Sequence, residues 1–120
     1  MSEKIEVKEF GEFAIIHLNG SFHSGEFDFT REIKSIIKDL LDREIKKILI
    51  DFSKVSFFGS DGIGALTNGH YTACNLGGRL VPYALPDYLK SAFTLVGLDK
   101  VFPNFSTEEE ALEYLKKKVK

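Results

Sequence analysis

The chain has 120 residues, of which 43% are hydrophobic and 28% charged, with a formal net charge of −2. That length fits one compact domain that can bury its core without a disulfide or metal staple. The charge balance offers no basic face for nucleic acid, no apolar run approaches the roughly 20 residues that cross a bilayer, and the lone Cys74 cannot form an internal bridge. A single thiol, with no signal-peptide core behind Met1-Ser2-Glu3-Lys4, leads to the expectation of a soluble, cytoplasmic protein that binds neither nucleic acid nor membrane.

In chain order, Ile5 and Val7 alternate with charged Glu6 and Lys8, the pattern of an edge strand with one wet face. Gly11 turns the chain into a second strand, Ala14 to Leu18, and Asn19-Gly20-Ser21 is expected to close this hairpin. Phe29, Ile33, Ile36, Ile37, Leu40 and Leu41 recur at helical spacing, with Ser24 or Asp28 as candidate caps. Ile48 to Phe52 is a continuous apolar run, as in a strand covered on both faces. A second helix is predicted from about Asp61 to Leu76, ended by Gly77-Gly78. Leu80 to Ala84 reads as a strand that Pro82 assigns to a sheet edge.

Pro86 opens a third helix with Leu89, Phe93 and Val96 on one face and Gly97 at its end. Ser106 and Glu109 have capping-box spacing before Ala111, Leu112 and Leu115. The order β-β-α-β-α-β-α-α implies a single α/β domain with a mixed, mostly parallel sheet and helices packed on it. Phe52, Phe57, Phe93 and Phe102 are expected in the core. Phe22, Phe27 and Phe58 fall near the loops beside the strand ends.

The chemistry concentrates where a strand gives way to a helix, at Phe57-Phe58-Gly59-Ser60-Asp61-Gly62-Ile63-Gly64. A serine at such a point is open to four readings: nucleophile, phosphate binder, phosphorylation target, or N-cap. An esterase-type nucleophile elbow needs glycine where Phe58 stands. His70, ten residues beyond Ser60, lies about 15 Å along the helix axis, out of reach of the hydroxyl. A phosphate-gripping P-loop needs lysine and Ser/Thr where Ala65 and Leu66 stand, and the dinucleotide fingerprint lacks its third glycine, at Thr67. One cysteine and three scattered histidines have no metal-ligand spacing, so neither metal nor cofactor is expected. Asn68-Gly69 inside a helix reads as a weak spot supported by packing, or as part of a partner-facing surface of Asn68, Tyr71 and Asn75 that Gly69 lets a partner approach.

The segment Lys46 to Phe102 resembles a STAS domain, the fold of bacterial anti-sigma factor antagonists. The resemblance rests on Ile48-Leu49-Ile50-Asp51-Phe52, Ser60-Asp61-Gly62-Ile63-Gly64-Ala65-Leu66, Gly77-Gly78-Arg79-Leu80 and Thr94-Leu95-Val96-Gly97-Leu98-Asp99. It implies a non-enzymatic partner switch. The unphosphorylated domain binds an anti-sigma factor that is also a serine kinase, the kinase phosphorylates the serine matching Ser60, and a PP2C-type phosphatase reverses this. The alternative is an unphosphorylated scaffold or sensing module that binds other proteins or a small anion.

On this resemblance the partner-binding surface comprises Phe22, His23, Phe58, Gly59, Asp61, Gly62, Ile63 and Asn68, with Gly59, Gly62 and Gly64 letting a partner backbone approach. The chain departs from the family pattern at three places. Gly59 and His23 stand where the family usually carries acidic residues, and Asp61 replaces a small one. Asp61 would repel a phosphate on Ser60, whereas a protonated His23 would attract it.

Overall fold

The computed structural model describes residues 4–23, 29–103 and 105–118. The proposed caps Ser24 and Asp28, together with Phe27, lie outside the described residues. Strands β1 (Ile5–Phe10) and β2 (Phe13–Phe22) pair antiparallel. Helix α1 (Phe29–Asp42) crosses to β3 (Lys47–Phe58), and α2 (Ser60–Asn75) crosses to β4 (Arg79–Tyr83). Helix α3 (Asp87–Leu95), a short 3-10 turn (Leu98–Lys100) and α4 (Glu108–Lys118) complete the order. The sheet runs β1-β2-β3-β4, with β2-β3 and β3-β4 parallel. It is the mixed α/β sheet that the sequence predicts, and Pro82 does sit on an edge strand.

The two sheet faces are covered unequally. Ile16, Ile48, Ile50 and Phe52 point to one face and pack with Phe29, Ile33 and Ile37 of α1, Ala65 and Leu66 of α2, and Leu89 and Phe93 of α3. Ile15, Leu49, Val81 and Tyr83 point to the other, where Ala111 and Leu115 of α4 cover them. The α4 cap is shifted by one residue from the expected box. Thr107 Oγ1 accepts the Glu110 N–H at 3.2 Å, and Glu110 Oε1 accepts the Ser106 N–H at 3.0 Å.

Two strands are longer than their apolar runs suggest. Asn19-Gly20-Ser21 does not close a hairpin; β2 continues through it to Phe22, because these residues still find partners on β3. Between the pairs His17–Asp51 and Asn19–Lys54, and again between Gly20–Val55 and Ser21–Phe57, β3 advances one residue more than β2. Each bulge flips the side-chain alternation. The buried positions therefore run Phe52, Val55, Phe58 at a spacing of three, and Phe57 is turned outward rather than into the core. Val96 is likewise exposed, because α3 ends at Leu95 before its periodicity would bring Val96 inward.

Gly69 is a packing glycine. A Cβ there would lie 2.7 Å from Ile37 Cδ1 of α1, so its absence lets the two helices approach. The next residue, His70, is buried, with Phe102 edge-on at 5.1 Å between ring centroids. Burial and the nearby Arg79 hold the His70 pKa below its ordinary value of 6.5, against an opposing hydrogen bond with the Leu80 backbone. The unfolded chain therefore binds a proton near pH 6.5 that the folded chain refuses, so stability falls as pH drops below that point. Urea midpoints should decline for the native chain from about pH 7.5 to about pH 5.5, and His70→Phe should flatten that decline. An unchanged slope would remove His70 as its source.

Candidate functional site

The end of β3 and the start of α2 are locked together by backbone. The Gly59 N–H donates to the Phe22 carbonyl at 2.9 Å, and the Gly59 carbonyl accepts the N–H groups of Gly62 and Ile63 at 3.0 and 3.2 Å. Gly59 is therefore the N-cap, with extended backbone and no side-chain cap, and Ser60 is the first helical residue. This separates two of the four readings of Ser60, because its hydroxyl does not cap the helix. Ser60 is exposed, and among the described residues its hydroxyl makes no hydrogen bond. The backbone N–H groups of Ser60 and Asp61 also lack acceptors among the described residues, which leaves the positive end of α2 open to solvent. Asp61 is exposed in the same turn.

The predicted partner-binding residues divide into two layers. His23, Ser60 and Asp61 are at the surface, with Ile63 half-buried among them. The Phe22–Gly59 hydrogen bond brings His23 beside the turn. Phe22, Phe58 and Gly62 belong beneath it, which corrects their expected role. Phe22 and Phe58 are 0% and 2% exposed and meet edge-on at 5.9 Å, with Phe29 against both rings. A partner has no access to them. Gly62 is buried against the same rings, and a Cβ there would fall 2.5 Å from Phe58 Cζ and 2.9 Å from Phe29 Cε2. It serves this aromatic plug rather than a partner's backbone. Gly59 is buried as well. Asn68 is exposed but eight residues along α2, about 12 Å of helix rise away, where it borders a groove against α1.

Sequence reasoning missed an aromatic row at the surface. The His23 ring stacks on Phe57 at 4.4 Å and 15°, and Phe57 stacks on Tyr88 of α3 at 6.0 Å and 8°. Phe57 and Tyr88 are 39% and 41% exposed. Partial burial raises the Tyr88 pKa, opposed by a hydrogen bond with the Phe58 backbone, which puts its hydroxyl at the end of β3. No local signal marks this row, since it depends on the β3 bulges and on where α3 docks. An exposed serine, an open helix N-terminus and a stacked aromatic flank form a surface suited to protein contact. Among the described residues, no three His, Cys, Asp or Glu side chains converge as a metal site.

The sequence model of the STAS domain matches residues 4–111. This chain belongs to the STAS domain family. Solved structures of other proteins superpose closely on it. A candidate anti-sigma factor antagonist from Thermotoga maritima aligns with a TM-score of 0.84 at 19% identity, over 96% of this chain and 97% of that one. The Bacillus cell fate determinant SpoIIAA, in its phosphorylated form, aligns with a TM-score of 0.73 at 20% identity, over 92% and 97%. A sulfate transporter family protein from Wolinella succinogenes aligns with a TM-score of 0.72 at 21% identity, over 88% and 85%. At these identities the likeness establishes the STAS fold. In this STAS domain no described helix is long and apolar enough to cross a membrane.

Proposed function

We propose that this STAS domain is an anti-sigma factor antagonist: a non-enzymatic module that binds an anti-sigma factor with serine-kinase activity and is controlled by phosphorylation of Ser60. A PP2C-type phosphatase is the natural counterpart that returns Ser60 to its free form. The observation that carries this reading is the Ser60 hydroxyl, which is exposed at the first position of α2 with no capping duty. A kinase reaches such a group without unfolding the helix. A phosphate there adds about −1.5 to −2 charges to a face that otherwise packs against a partner, enough to break a close interface. The rigid plug of Phe22, Phe29 and Phe58 supports the turn, so the change stays local.

Asp61 favours a second reading, in which the domain binds its partner constitutively as an unphosphorylated module. Its carboxylate already places a negative charge beside Ser60 in the first turn. Intact mass of the protein isolated from its native host separates the two. An added mass of about 80 Da mapped to Ser60 is expected for the switch. No phosphate at Ser60 under any growth condition would discard the switch in favour of the constitutive module.

A further inference from the structure

The sheet face under α4 is only partly covered. The row Ile15, Leu49, Val81 is apolar and lies against Ala111 and Leu115. In the next row along the strands the register partners are His17 and Asp51, and here the lining turns polar. His17 Nδ1 lies 2.7 Å from Asp51 Oδ2, the two side chains being 27% and 12% exposed. The Ser53 N–H donates to Asp51 Oδ1 at 2.8 Å. Tyr83 of β4, the register partner of Asp51, continues this polar row beside the apolar one.

A cavity of about 500 Å³ opens over this pair, bounded by β1, β2 and β3. Lys8, Lys54 and Asn19 line it together with His17, and Glu6 is the opposing carboxylate. Asp51 is already satisfied by His17 and the Ser53 N–H, and Lys4 is held by the Ser21 carbonyl. Lys8 and Lys54 have no ion-pair partner among the described residues. With Nδ1 engaged by Asp51, His17 and Asp51 satisfy each other and form the floor of the pocket, leaving the Lys8 and Lys54 ammonium groups and the Asn19 side-chain amide as its donors. The donors therefore outnumber the one uncommitted carboxylate, in a pocket of small-molecule size.

We propose that this pocket, on the sheet face opposite α1 and α2, binds a small ligand bearing an oxyanion, whether carboxylate or phosphate, through Lys8, Lys54 and Asn19, with the His17–Asp51 pair as its floor. The proposal stands apart from the Ser60 reading, since it uses none of that turn.

Amide chemical shifts of the full chain, followed during titration with inorganic phosphate, succinate and a chloride control at constant ionic strength, test it. Saturable shifts confined to the segments around Ile5, His17 and Asp51, with a dissociation constant at or below about 1 mM, are expected for at least one oxyanion. Saturation by phosphate alone assigns a phosphoryl ligand, and saturation by succinate assigns a carboxylate. The double variant Lys8→Gln/Lys54→Gln, with both changes at exposed positions, should bind at least about tenfold more weakly while keeping its thermal midpoint. Ser60→Ala should bind unchanged. Shifts that stay linear and match chloride for both oxyanions, or a double variant that binds as well as the native chain, would overturn the proposal.

Discussion

Phe58→Ala is expected to lower the unfolding free energy by about 3–5 kcal/mol, whereas Phe57→Ala, one residue earlier, should cost about 1 kcal/mol or less. Phe58 fills the space between Phe22, Phe29 and Phe52, with ring centroids 5.0–6.0 Å away, and is 2% exposed. Its removal leaves a cavity that cannot collapse, because Gly62 offers no side chain to fill it. For a domain of this size the thermal midpoint should fall by roughly 10–20 °C. Phe57 instead lies in the surface row between His23 and Tyr88. Its loss should spare the fold and weaken partner binding by about tenfold or more, as expected for an aromatic anchor. Denaturant melts of both variants and affinity of Phe57→Ala for the proposed anti-sigma kinase partner provide the check. Equal stability losses would mean that Phe57 is a core residue, and unchanged affinity would remove it from the interface.

Ser60→Glu should weaken binding to that kinase by about 100-fold, the effect of placing an unpaired charge in a desolvated contact. Ser60→Ala should bind like the native chain and resist regulation. Ser60 lies at the first position of α2, with the Gly59–Phe22 hydrogen bond and the aromatic plug fixing the turn beneath it. Neither variant should alter stability by more than about 0.5 kcal/mol, since the hydroxyl does not cap the helix. Calorimetric titration of the three proteins measures both effects. Equal affinity of Ser60→Glu and the native chain would fit the constitutive module, with Asp61 as the charge its partner already tolerates.

The placement of Ser60 at a strand-to-helix junction was legible because each element there carries a local mark. The apolar run Ile48 to Phe52, the glycines and the helical spacing of Ala65, Leu66 and Ala73 each act within a few residues. Its role as first helical residue rather than cap was less legible, since serine suits both positions and only the backbone of Gly59 decides. The α4 cap was misplaced by one residue for a similar reason: Ser106-Thr107 and Glu109-Glu110 offer two equivalent boxes.

The sequence by itself determined the order of strands and helices and most of the core, because these follow from periodicities of two and 3.6 residues read along the chain. It also located the serine on which the functional reading turns. Only the tertiary structure decided which of two adjacent phenylalanines is buried, because two bulges in β3 reset the alternation to fit β2. It alone brought His23, Phe57 and Tyr88 into one row, and His17 against Asp51 over an open pocket. These contacts join residues 31 to 34 positions apart, set by strand register, by the β3 bulges and by where α3 docks, and no local pattern encodes these.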